Sequence, residues 1–131
     1  MLGAAAGLAA FPLTDALPLR GAARSATCGS TLAIGLALDD QGKIARVGLA
    51  PRACAVGQAA AFAFASTAPG RSAEDIRAAR IAIAAWLAEG QTALPDWPGL
   101  EIIAPARSRP GRHGAVLLAW DAAIDALASL D

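Results

Sequence analysis

The chain has 131 residues, enough for one domain with its own core, and its eleven basic and eleven acidic residues cancel. That balance gives no broad electrostatic attraction to nucleic acid or to an anionic membrane. Although 56 % of the residues are apolar, mostly alanine, no run approaches the roughly 18 uninterrupted apolar residues that a membrane span needs.

Residues 1–11 are apolar enough to resemble a signal sequence, but they lack a basic start and a polar stretch before a cleavage site. They read as a short N-terminal helix on a cytoplasmic protein. Pro12 and Pro18 interrupt helical structure, so Leu13 to Ala23 reads as loop or edge strand. Ser25 to Ser30 is a polar, glycine-containing turn that carries Cys28. After it, Leu32, Ile34, Leu36 and Leu38 alternate with small residues at the period of a strand. Asp39-Asp40-Gln41-Gly42 supplies a turn. Lys43 to Ala50 then returns as the second strand of an antiparallel hairpin, with Ala45, Val47 and Leu49 expected on one face and Ile44 and Arg46 on the other. A lone hairpin is marginal, so helices are expected to cover one face.

Arg52 to Gln58 opens an alanine-rich run, Ala59 to Ser66, that is a good helix former. Cys54 is expected in its first turn, where free N–H groups and the helix dipole favour a thiolate. The helix should stop near Pro69-Gly70. The next begins with Ser72 as N-cap and Glu74 and Asp75 in its first turn. Ile76, Ile83, Trp86 and Leu87 fall on one face of it, and Gly90 is its expected stop. Residues 91–99 form a loop anchored by Trp97, Leu100 to Ala104 a short helical turn, and Arg107 to Gly114 a basic, flexible stretch. Leu117, Trp120, Ile124 and Leu127 mark the apolar face of the last helix. Strands first and helices after predict an α+β two-layer sandwich, with a small antiparallel sheet (hairpin plus edge strand) covered on one face, as one domain over 1–131.

The chemistry-bearing candidates are Cys28, Cys54 and His113, the only histidine. Two cysteines cannot make a disulfide scaffold; in a cytosolic chain they point first to catalysis or metal binding. Cys28 precedes the first hairpin strand and Cys54 follows the second, so the hairpin should bring both sulfurs to one edge of the sheet. If the approach to the last helix reaches that edge, His113 joins them. Two thiolates and an imidazole suit zinc or ferrous iron, and thiolates are the usual ligands of iron–sulfur clusters. Ten of the eleven basic residues are arginine, and Arg107, Arg109 and Arg112 read as a solvated loop, a docking patch or cationic support for an anionic sulfur. No glycine spacing makes a phosphate loop, and no Ser/His/Asp arrangement stands out.

Thr27-Cys28-Gly29-Ser30, the hairpin and Ala53-Cys54-Ala55-Val56-Gly57-Gln58-Ala59 together resemble the NifU N-terminal/IscU-like family of iron–sulfur cluster assembly scaffolds. That family carries an Asn-Pro-x-Cys-Gly-Asp turn, a hairpin and a cysteine at a helix start. Pro105-Ala106-Arg107 followed by Ala115 to Trp120 is similar to its Pro-Ala-Arg-x-x-Cys-Ala-x-Leu-x-Trp segment, and the insertion around Gly90 to Ile103 is similar to the SufU branch. Against the family pattern, Ser30 stands in place of an aspartate, Ala115 in place of the third cysteine and Gly114 in place of a histidine, with His113 one step earlier. These departures mark a divergent subgroup.

The resemblance implies a scaffold or iron-binding assembly factor that holds a transient iron–sulfur cluster, or iron, on Cys28, Cys54 and His113. It implies a cysteine desulfurase as sulfur donor and apo-proteins as recipients. The resting metal is left open between iron, zinc and none, as is a homodimer bridged by one cluster. Such a scaffold turns over no small substrate. The alternatives are a SufU-like zinc-dependent sulfurtransferase carrying a persulfide and a non-catalytic regulatory paralogue.

Overall fold

The computed structural model describes residues 10–26, 29–89 and 95–128. Three strands, β1 (Leu19–Arg24), β2 (Thr31–Leu38) and β3 (Ile44–Arg52), make an antiparallel sheet in the order β1-β2-β3. The helices that follow are α1 (Ala55–Thr67), α2 (Ala73–Glu89) and α3 (His113–Leu127), with 3-10 segments at Leu100–Ser108 and Pro110–Arg112 between the last two. Strands followed by helices therefore fold as an α+β sandwich. Of the N-terminal helix expected over residues 1–11, residues 1–9 lie outside the described residues and Ala10 and Phe11 are turn and bend, not helix; the Gly90 stop also lies outside the described residues.

Register explains which side chains enter the core. Ile34 pairs with Leu49 and Leu36 with Val47, while on the other side Gly21 pairs with Ile34 and Ala23 with Leu32. Residues directly opposite in a sheet share a face, and this face meets the helices. The expected alternation fails at one place. Ala37 pairs with Arg46 but Leu38 pairs with Ile44, so Ala45 is an extra, bulged residue. A bulge reverses the phase of the strand beyond it. Ile44 consequently joins the core at 1 % exposure, and Ala45 is exposed.

Helix α3 lies on β1 and β2 and also packs against α1 and α2. It is buried nearly all round: Val116, Leu118, Ala119, Ala122, Ala123 and Ala126 are as inaccessible as Leu117, Trp120 and Leu127, whereas Ile124 is only partly buried. The single apolar stripe expected from the sequence underestimates a helix whose alanines let neighbours approach from several sides. The closest approach is at Gly21, where a β-carbon would collide with the Ala122 carbonyl and stand 2.5 Å from the Ala126 nitrogen. Asp125 then accepts the Ala22 N–H at 3.0 Å, closing part of the β1 edge.

Local signals in the helices behave as expected. Ser72 Oγ accepts the Asp75 N–H at 3.1 Å and Asp75 Oδ2 accepts the Ser72 N–H at 3.0 Å, a reciprocal cap on α2. Trp97 anchors its loop: it stacks on Phe64 at 5.6 Å, meets Trp120 edge-on at 5.2 Å and donates Nε1–H to the Ala63 carbonyl at 2.9 Å. The stretch from Arg107 to Gly114 is not a loose loop. It is 3-10 through Ser108, 3-10 again over Pro110–Arg112, and α3 from His113. Arg107 lies over the Trp86 ring, 4.8 Å from its centroid, and donates to the Trp86 carbonyl at 3.0 Å. Stacking on an aromatic face removes that guanidinium from the solvated cluster.

The sheet's second face is covered in part by residues 11–17. Gly35 and Gly48 pair across β2 and β3 and present no side chain. Leu17, 2 % exposed, occupies the space above them, and a β-carbon on either glycine would strike it. Phe11 accepts the Leu49 N–H at 2.8 Å, which ties this segment to the β3 edge.

Candidate functional site

Cys54 is the N-cap of α1, one residue earlier than the first-turn position expected. Its backbone is extended (φ −66°, ψ 174°) and its carbonyl accepts the first helical bond, from the Gln58 N–H at 2.9 Å. An N-cap side chain faces the free N–H groups of the first turn. Partial burial pushes the Cys54 thiol up, but the Gly57 N–H, the Arg112 guanidinium and the Val56 N–H all favour the thiolate, and the Arg112 charge adds to them. Together they hold its pKa below the usual thiol range. Among the described residues Cys54 is a free thiol.

The approach of α3 to this point depends on glycine. A β-carbon on Gly57 would stand 2.7 Å from that of Ala53 and 3.5 Å from that of Ala115. One residue before Ala115, a β-carbon on Gly114 would stand 2.7 Å from Ser25 Oγ. The start of α3 is thus wedged between the start of α1 and the end of β1, and both helix starts bring unpaired N–H groups to one region. His113 opens α3. Its Nε2 lies 3.0 Å from the Arg107 carbonyl oxygen; a carbonyl only accepts, so Nε2 carries a proton, and in the neutral ring the lone pair is on Nδ1. A ligating histidine has this arrangement, with one nitrogen oriented by a carbonyl and the other open.

Thr27 and Cys28 lie outside the described residues, but the residues that flank them are joined by backbone hydrogen bonds. The Ser30 carbonyl accepts the Ser25 N–H at 2.8 Å, and the Ser25 carbonyl accepts the Gly29 N–H at 3.1 Å, with Gly29 at φ 71°. Ser25 and Ser30 are both buried. At the same end of the sheet, Thr31 pairs with Arg52, two residues before Cys54. Among the described residues no three His, Cys, Asp or Glu stand together as a metal-binding group.

Arg112 is the partner of Cys54 that the basic cluster hinted at; Arg107 belongs to Trp86 and Arg109 is exposed. Gly57 and Gly114 were missed as positioning residues. A signal existed, because glycine inside an alanine-rich helix costs about 1 kcal/mol relative to alanine and implies a close neighbour. Ala115, 0 % exposed, brings only a methyl group where the family pattern has a thiol.

No protein-family model and no curated protein matches the sequence. Solved structures do. The chain superposes on the N-terminal part of a nitrogen-fixing NifU-like protein from Brucella abortus with a TM-score of 0.78 and 27 % identity, covering 91 % of this chain and 82 % of that one. It also superposes on a SufU from Fervidobacterium islandicum AW-1, described as an iron–sulfur cluster assembly scaffold protein for the SUF system. There the TM-score is 0.71 and the identity 18 %, covering 87 % of this chain and 83 % of that one. The second likeness is one of fold.

Proposed function

We propose, from the fold that the chain shares with NifU-like and SufU structures, that it is an iron–sulfur cluster assembly scaffold, or iron-binding assembly factor, that receives sulfur from a cysteine desulfurase. The observation that carries the reading is Cys54: a partly accessible sulfur at a helix N-cap, in surroundings (the Gly57 and Val56 N–H groups and the Arg112 guanidinium) that favour its thiolate. A thiolate, not a thiol, is the nucleophile in sulfur transfer and the ligand of iron.

In the transfer step the Cys54 thiolate attacks the outer sulfur of a persulfide on the donor. A new S–S bond forms at Cys54, the donor's S–S bond breaks, and the electron pair leaves on the donor's cysteine as thiolate. The persulfide at Cys54 is again anionic, so Arg112 and the α1 N–H groups stabilise it as they did the thiolate. Iron is cargo. The donors offered to it are Cys28, Cys54 and His113 through Nδ1, a soft set that suits ferrous iron, zinc or a cluster. Ser30 and Ala115 add no ionised ligand, so a sulfide, a water or a partner's side chain completes a tetrahedral set.

A persulfide-carrying sulfurtransferase shares the same first step, and the thiolate-favouring surroundings of Cys54 support it equally; the two readings part on whether a cluster is held. Cytoplasmic location belongs to both. Among the described residues no helix is long and apolar enough to cross a membrane. The test is anaerobic incubation with desulfurase, cysteine and ferrous iron, followed by iron and acid-labile sulfide analysis of the re-isolated protein. Retention of both by the parent, and loss in Cys54→Ser and Cys28→Ser, supports the scaffold. Cys54 persulfide with no labile sulfide selects the sulfurtransferase, and neither product overturns both.

A further inference from the structure

The outer face of the sheet is only half covered. Beyond the Gly35–Gly48 pair under Leu17, the next row across the strands is Ala22, Ala33 and Ala50, and the row after that is Arg24, Thr31 and Arg52. These residues line an open trough of about 530 Å³. Its floor is methyl groups and backbone, and its far rim is two exposed arginines. Among the described residues neither guanidinium has a hydrogen-bond or ion-pair partner.

The charge distribution says what would cover it. Between Asp15 and Asp39, between Asp40 and Glu74, and between Glu101 and Asp121 the chain has no acidic residue. These three stretches contain β1, β2, β3, α1 and the start of α3, so among the described residues none of the segments that meet at Cys54 carries a carboxylate. The one beside the trough, Asp125, is engaged by the Ala22 N–H. A neutral chain therefore has a basic end, formed by Arg24, Arg52, Arg109 and Arg112. Asp39 and Asp40 sit at the opposite tip of the hairpin. Strand addition is disfavoured, because Asp125 occupies the Ala22 N–H on one edge, Phe11 the Leu49 N–H on the other, and Pro51 has none to offer.

We infer that this trough is the docking surface for the sulfur-donating protein, taking from it an apolar side chain flanked by carboxylates. The apolar group fills the alanine floor, and the carboxylates pair with Arg24 and Arg52, two residues short of Cys54. Paired charges at the rim set register and encounter rate and exclude partners of the wrong sign. The inference rests on the reading that the chain receives sulfur from a desulfurase, and it adds the face used and the partner's charge.

The test is calorimetric titration of the full chain with the cysteine desulfurase from the same source, with Cys54 persulfide formation followed separately. Parent binding should weaken as salt rises from about 50 to about 300 mM. Arg24→Glu/Arg52→Glu should weaken it at least about tenfold, as should Ala50→Phe, which fills the floor from an exposed position. Arg46→Glu, the same charge change near the far end of β3, should leave it unaltered. Parent binding with neither trough variant impaired overturns the docking surface and leaves sulfur acceptance standing. A parent that neither binds nor becomes persulfidated overturns the sulfur-acceptor reading and this inference with it. Self-association of the parent that the trough variants abolish, with desulfurase binding untouched, assigns the surface to a second copy and also overturns it.

Discussion

Gly57 in α1 and Ala115 in α3 meet with no side chain between them beyond a single methyl group: a β-carbon on Gly57 would lie 3.5 Å from that of Ala115. This contact sets how near the start of α3, with Arg112 just before it and His113 its first residue, stands to the Cys54 cap. Gly57→Ala also presses on the Ala53 β-carbon at 2.7 Å. It should cost about 1–3 kcal/mol in urea denaturation and slow alkylation of Cys54, even though alanine is the better helix former. A variant at least as stable as the parent would show that the helices can part freely there.

Ala115→Cys returns a thiol to the position at which the family pattern has one. The residue is fully buried, so the apo protein should lose about 1–2 kcal/mol from overpacking, while zinc or ferrous iron affinity rises through an added soft ligand. Competition with a chromophoric chelator reads the second effect. Unchanged affinity would mean that position 115 does not look into the metal-binding region.

Metal-free Cys28→Ser protein isolates the Cys54 thiol. Its alkylation by iodoacetamide should reach half its maximal rate at a lower pH than a free cysteine, and Arg112→Ala should move that midpoint up. Arg109→Ala should leave it in place. The linked stability has a defined sign. With the folded pKa depressed, the thiolate's contribution is present above the unfolded pKa and is lost as pH falls through the folded one. Arg112→Ala should therefore destabilise the protein at alkaline pH and much less at acid pH. Equal melting losses at both extremes would point to packing by Arg112 and not to charge.

Removing the α2 cap by Ser72→Ala should cost about 1 kcal/mol. The Asp75 carboxyl is held below its usual range first by the Ser72 N–H; desolvation, next in size, opposes this, and the Ser72 hydroxyl, Arg71 and Lys43 add to the lowering. Its stabilising contribution is present above the unfolded carboxyl pKa and disappears as pH falls through the folded value. The Ser72→Ala penalty should shrink in acid, which thermal melts at neutral and low pH will register.

Gly21→Ala and Gly111→Ala make a matched pair. At Gly21 the new methyl group would drive into the α3 backbone at Ala122 and Ala126; at Gly111 it would meet nothing within 4 Å. The first should cost about 3 kcal/mol and the second stay within about 0.5 kcal/mol of the parent. Similar values for both would remove the case for close packing of α3 on β1.

Residue order by itself decides the elements of this protein. Alternation wrote β2, the Asp39-to-Gly42 turn closed the hairpin, serine and aspartate started α2, and Trp97 was recognisable as an anchor, because each depends on neighbours within a few positions. Cys28, Cys54 and His113 were likewise visible as candidate ligands by residue type. Tertiary structure alone decided the rest. The bulge at Ala45 that turns Ile44 inward, the burial of α3 on nearly every side, the stacking of Arg107 on Trp86 and the approach of Arg112 to Cys54 all join residues far apart in the chain. Such contacts follow from the space that glycine and alanine leave between elements, and a periodic pattern in one segment carries no record of what the opposite segment leaves empty.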